Sequence, residues 1–211
     1  LETRKKAGKL ANLESLLGED PLPASTIGIG HTRWATHGGP TDANAHPHLS
    51  EDGKVAVIHN GIIENFAELR AELSARGITL TSETDTEVVA HLLAETLPSQ
   101  NFDLAAAMRV VCGQLSGAFT LVAVHADIPD VVVGARRNSP LVVGRGEGEN
   151  FLASDVAAFI AHTRHAIELG QDQVVELRSD SITVTDFDGE PASVVEYEVT
   201  WDASAAEKGG Y

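Results

Sequence analysis

Three short clusters of polar residues carry the chemistry that this 211-residue chain offers. The first, Arg33-Trp34-Ala35-Thr36-His37, lies within Gly28-Ile29-Gly30-His31-Thr32-Arg33-Trp34-Ala35-Thr36-His37-Gly38-Gly39. The second is His59-Asn60-Gly61, and the third is Glu83-Thr84-Asp85-Thr86. Together they supply a fixed cation, an amide beside a backbone N–H, and a fixed carboxylate. Arginine grips a carboxylate through two parallel hydrogen bonds, and aspartate takes an ammonium group. Arg33 and Asp85 therefore suit the two charged ends of a free amino acid. Asn60 and the Gly61 N–H suit the oxyanion that forms when an amide or ester is attacked. Each cluster also has a plainer reading. Arg33 fits an edge strand with its stem on apolar surface, Asp85 a charge at a helix start, and Asn60-Gly61 a tight turn. Their occurrence together favours the chemical reading and leaves the substrate open.

Other residues of catalytic type fit less well. His46-Pro47-His48 places two imidazoles at i and i+2, on one face of an extended segment. Its nearest histidines, His31, His37 and His59, match no zinc spacing, so neither a metal nor a cofactor is called for. Gly144-Arg145-Gly146-Glu147-Gly148 is acidic and lacks the Gly-Lys-Ser/Thr ending of a phosphate loop, and a turn suits it better. Cys112, the one cysteine, falls on the apolar stripe of a helix and reads as a small packed hydrophobe.

The elements that must position these residues follow from periodicity. Thr26-Ile27-Gly28-Ile29 predicts a strand that leaves a core and enters a polar pocket at Arg33. A short amphipathic helix is expected from Lys9 to Leu17, ended by Gly18. Val55 to His59 reads as a buried strand. Asn65 to Arg76 reads as a helix capped by Asn65 with Glu68, and a second starts at a Thr84–Glu87 capping box before Val88, Leu92 and Leu93. A third helix spans Asp103 to Leu115. From Gly117 onward the pattern turns to short strands: Phe119 to His125, Val131 to Ala135, Leu141 to Val143 and Phe151 to Ser154. A short helix capped by Asp155 comes next, then a Val174–Leu177/Ile182–Phe187 hairpin and a last strand near Val194. Helices gathered in the first half and antiparallel strands in the second indicate an α+β fold, with two packed sheets flanked by helices.

Composition bounds the partners. Hydrophobic residues make up 43% and charged residues 22%, as in an ordinary globular domain. A net charge of −16 argues against nucleic acid and anionic membrane surfaces, which need a basic patch. No apolar run is long enough to span a bilayer, no apolar signal core stands at the start, and a cytoplasmic location is expected.

Four motifs in fixed order resemble a known family. They are H-T-R-W-A-T-H-G at His31–Gly38, N-A-H-P-H at Asn44–His48, H-N-G-I-I-E-N at His59–Asn65 and S-E-T-D-T-E at Ser82–Glu87. With S-P-L-V at Ser139–Val142 and F-L-A-S-D at Phe151–Asp155, they closely resemble the glutaminase domain of the glucosamine-6-phosphate synthases. These are class II glutamine amidotransferases with the N-terminal nucleophile hydrolase fold, a four-layer αββα sandwich. The resemblance implies that Arg33 binds the α-carboxylate of glutamine and Asp85 its α-ammonium. Thr36 and His37 would line the pocket, Asn60 and Gly61 would form the oxyanion hole, Trp34 would flank the ammonia exit, and His46 would order the pocket or its loops. It further implies glutamine and glutamate as ligands, a sugar isomerase domain acting on fructose 6-phosphate as partner, and a homodimer at full length. Residues 1–201 would form the amidotransferase type 2 domain, and residues 202–211 would begin the linker to the isomerase domain.

One departure matters. The family nucleophile is a cysteine at the mature N-terminus, with its own α-amine as base. This sequence starts at Leu1, in a segment that corresponds to the region downstream of that cysteine and its neighbouring motif in the family. The expectation is a fragment with the substrate-binding side of the site and no glutaminase activity of its own. Another class II amidotransferase, of the amidophosphoribosyltransferase or asparagine synthetase type, is the nearest alternative. A non-catalytic glutamine-binding module is the alternative from a different class.

Overall fold

A computed structural model describes residues 1–200; the expected linker lies outside the described residues. The chain runs α1 (Leu10–Glu19), β1 (His48–Leu49), β2 (Val55–Ile63), α2 (Phe66–Ala75), α3 (Glu87–Thr96) and α4 (Leu104–Cys112). It continues through β3 (Gly117–His125), β4 (Ile128–Arg137), β5 (Val142–Arg145), β6 (Asn150–Ala153), β7 (His165–Glu168), β8 (Gln173–Leu177), β9 (Ile182–Asp186) and β10 (Val195–Glu198). Two antiparallel sheets result, one in the order β1-β2-β3-β4-β8-β9 and the other β10-β7-β5-β6. Among the described residues no helix is long and apolar enough to cross a membrane.

Alternation along the strands builds the layers. In β3, Phe119, Leu121 and Ala123 face α3 and α4 in the larger core, which also holds Val88, Leu93, Met108 and Cys112. Val122 points the other way, into the inter-sheet core with Val143, Ile167, Val175 and Leu177. A third cluster, Val142, Phe159, Ile160 and Ala166, covers the outer face of the second sheet. The order helix, sheet, sheet, helix is thus kept, with the fourth layer reduced to a 3-10 turn at Val156–Ala158 whose Asp155 cap accepts from Ala157 N.

Several local expectations change. Thr26–Ile29 joins no sheet and begins with a bend at Thr26. Ile29 packs its side chain on the inter-sheet core instead. Gly18 lies within α1, which buries none of its residues. Asn65 makes no cap bond; its side chain instead joins Gln114 O and Ser116 N, tying the start of α2 to the chain after α4. Thr84 does not cap α3, because Glu87 turns back to the loop before it. Strands β1 and β7 went unforeseen, being two and four residues long.

The largest revision concerns Asn60-Gly61. No turn occurs there: β2 continues through both residues, and Gly61 pairs with Phe119 in the ladder to β3. Gly61 has φ +120°, and a Cβ at this position would lie 2.1 Å from the Ala118 carbonyl oxygen. Glycine is required both for the backbone angle and for this approach. Gly61→Ala should cost at least about 2 kcal/mol, read as a lower urea midpoint at unchanged m-value.

Candidate functional site

Alternation in β2 decides what the site receives. Val55, Val57 and His59 point to the helical layer, so His59 is buried against α3, whereas Asn60 opens on the other face. The chain from His31 to Thr36 crosses in front of this strand. A cavity of about 490 Å³ lies between them, lined by residues that include Arg33, Trp34, Thr36, His46, Asn60, Gly61 and Asp85. Seven of the eight site residues read from the sequence meet around it. The eighth, His37, stands beside it, its Nδ1 3.9 Å from Asp85 Oδ2 and its ring centroid 4.8 Å from that of Phe66. Trp34 stands at the rim, 90% exposed.

Asp85 is 3% exposed, and its Oδ2 accepts from Ile63 N at 2.9 Å. One backbone hydrogen bond thus joins the carboxylate to the strand that carries Asn60 and Gly61. His59 Nδ1 also lies 3.9 Å from Asp85 Oδ2. Among the described residues no donor reaches Oδ1, which leaves it for a ligand cation. Arg33 closes its own loop, donating to the carbonyls of His37, Gly38 and Gly39. Asn44 fastens that loop to the Asp85 loop: its Nδ2 donates to Gly39 O and Glu83 Oε2, and its Oδ1 accepts from Glu83 N.

His31, Asn44, His59, Thr86 and Glu87 hold the others in place; sequence reasoning gave none of them a place in the site and read Glu87 only as half of a helix cap. Thr86 Oγ1 is 2.9 Å from His46 Nε2 and 3.0 Å from His59 Nδ1. A hydroxyl has one proton and two lone pairs, so at least one of the two rings donates to it. His31 and His46 rings lie 4.3 Å apart, and His46 and His48 rings 5.0 Å apart. Among the described residues no group of three or more His, Cys, Asp or Glu side chains is placed to hold a metal ion. The only hint in the sequence was four histidines inside otherwise ordinary motifs.

Burial keeps these imidazoles neutral. It pushes His59 down to about 4 against the opposing charge of Asp85, and His48 down to about 4 with help from Lys5. His46 falls further, to about 2, because His31 and His48 add to its burial. Folded-state values below the unfolded value of about 6.5 mean that the unfolded chain takes up protons first. Stability is therefore full above pH 6.5 and is lost as pH falls toward 4. The expected slope reaches about 1.4 kcal/mol per pH unit for each such histidine, measured by urea unfolding across that range.

A fixed carboxylate and a guanidinium across a pocket, beside a strand-borne amide, suit an amino-acid ligand. The two-sheet sandwich and this pocket define the class, and the chain belongs to the glutamine amidotransferase domain family, whose match spans residues 19–190. Among curated proteins it is similar to the glutamine–fructose-6-phosphate aminotransferase [isomerizing] of Streptomyces coelicolor, 76% identical over 211 residues, covering 100% of this chain and 34% of that protein. The enzyme of the same name from Corynebacterium glutamicum is 61% identical over 209 residues, 99% of this chain and 34% of that protein. The chain thus spans about a third of the length of these relatives. Among solved structures, the glutamine phosphoribosylpyrophosphate amidotransferase from B. subtilis aligns with TM-score 0.60 at 23% identity, over 74% of this chain and 34% of that one, a likeness of fold.

Proposed function

We propose that this chain is the glutamine-hydrolysing part of a glutamine–fructose-6-phosphate aminotransferase. The observation that carries the reading is the convergence of Arg33, Asp85, Asn60 and Gly61 on one cavity. In this reading the glutamine carboxylate, a stronger acceptor than a carbonyl, draws Arg33 from its loop, and the α-ammonium meets Asp85. A thiolate then attacks the side-chain amide carbon, and the Asn60 amide and Gly61 N–H receive the developing oxyanion. Ammonia leaves past Trp34, and water hydrolyses the thioester to glutamate. Thr36 and His37 shape the pocket wall, and His46 steadies it through Thr86.

The thiol comes from outside residues 1–211. Cys112, the one cysteine here, is fully buried in the core, and burial pushes its thiol far above the usual range. Residues 1–201 by themselves are then a substrate-binding shell without glutaminase activity. The whole protein would be a cytoplasmic homodimer whose sugar isomerase domain takes the ammonia to fructose 6-phosphate.

The test uses the full-length encoded protein. It should release glutamate from glutamine, form an aminated hexose phosphate from fructose 6-phosphate, and be labelled at a cysteine by a glutamine-analogue electrophile. An encoded start without cysteine, with glutamine bound but not hydrolysed, would establish a non-catalytic binding module instead. Hydrolysis by residues 1–211 alone would overturn the assignment of the nucleophile.

A further inference from the structure

We infer that His31 is a positioning residue that sets the orientation of the Asn60 side-chain amide and so aims its N–H at the reacting carbonyl. This rests on the reading of Asn60 as an oxyanion donor. His31 Nε2 lies 2.5 Å from Asn60 Oδ1. An amide oxygen only accepts, so the ring donates from Nε2–H and its Nδ1 carries the lone pair. Among the described residues that Nδ1 is buried without a partner, and the bond to Asn60 is the ring's one side-chain hydrogen bond.

A carboxamide is nearly symmetric in shape, and rotating it by half a turn exchanges a donor for an acceptor. In β2 the Asn60 backbone is locked in the ladder opposite Thr120, but the side chain is exposed toward the cavity. Its Oδ1 has no donor other than His31 among the described residues. Without that ring, the flipped amide would present oxygen to an oxyanion, a repulsive arrangement. His31 itself is fixed by contact with the His46 ring at 4.3 Å, and His46 by Thr86. The relay thus runs from the start of α3 through two imidazoles to the amide, and it explains why a neutral histidine stands where a charged one would be costly. His31 acts through Asn60.

The experiment measures glutamine hydrolysis by the full-length protein, with kcat and KM determined separately. His31→Leu should lower kcat roughly 10–100-fold, somewhat less than deletion of a whole oxyanion donor, with KM changed less than about threefold. His31→Gln, whose amide N–H reaches the place of Nε2–H, should restore most of kcat. His31→Asn is too short to do so and serves as a second deficient variant should the leucine protein fail to fold. The double variant with Asn60→Ala should be no slower than Asn60→Ala alone, because His31 has nothing left to orient. Losses that multiply in the double variant, or a glutamine variant as slow as leucine, would overturn the role of His31 alone. Asn60→Ala at wild-type kcat would overturn the reading of Asn60 itself, and the inference with it.

Discussion

Asp85→Ala in the full-length protein is expected to lower kcat/KM for glutamine by roughly 10²–10³-fold and to destabilise the fold as well. Two losses combine. Among the described residues the buried carboxylate is the one fixed anion lining the cavity beside β2, and removing one partner of a desolvated charge pair costs about 2–5 kcal/mol of binding. The same change removes the acceptor of Ile63 N, 2.9 Å away, and leaves a buried N–H unpaired at about 1–3 kcal/mol. Asp85→Asn separates these effects. Its amide oxygen still accepts from Ile63 N, so the urea midpoint should stay close to wild type, while the charge proposed to hold the ammonium is gone. The asparagine protein should therefore be stable and poor in glutamine binding, with kcat/KM down by a similar factor. Unchanged kcat/KM in both variants would remove Asp85 from the substrate site.

How far the sequence discloses this molecule depends on the range of each signal. Alternation from Phe119 to His125 and the α4 stripe of Leu104, Met108, Val111 and Cys112 are local, and both elements formed there, the helix ending at Cys112 rather than at the expected Leu115. The residue types of Arg33, Asn60 and Asp85 were legible for the same reason, since charge and hydrogen-bonding capacity are intrinsic. The backbone that carries them was not. Asn-Gly is a turn by intrinsic preference, yet here the ladder to β3 outweighs it and the glycine serves close approach to Ala118. Thr84 and Glu87 have capping-box spacing, yet the carboxylate finds better donors in the preceding loop. Nor does spacing reveal that His31 reaches Asn60, 29 residues away, or that His46 and His59 share the hydroxyl of Thr86. Contacts between distant segments set the site, and single-sequence patterns do not encode them.

The loop that presents Asp85 depends in turn on Glu87, and here the largest loss of stability is expected. Glu87 is 2% exposed, with no Lys or Arg paired to it among the described residues. Its carboxylate instead accepts four hydrogen bonds, from the N–H and hydroxyl of Thr81 and from those of Ser82, at 2.7–2.9 Å, with His91 Nε2 3.8 Å away. Burial by itself would raise its pKa, but the nearby His91 ring and the hydrogen bonds from Thr81 and Ser82 outweigh burial and lower it. A carboxylate so held is also the first residue of α3, where its charge suits the helix N-terminus. Glu87→Leu would leave the donors of Ser82 buried and unpaired, and should cost about 3–5 kcal/mol. Glu87→Gln keeps an acceptor oxygen on one side only and should fall between leucine and wild type. Because the folded pKa lies below the unfolded value of about 4.3, the stabilisation is complete above that pH and fades as pH drops toward the folded value. Unfolding below pH 4.3 should therefore be less steep with pH in Glu87→Gln than in wild type. Since the loop runs from Thr81 to Thr86, both variants should also weaken glutamine binding through Asp85, although Glu87 touches no ligand. An unchanged urea midpoint in Glu87→Leu would show that the 81–86 loop holds its shape without this carboxylate.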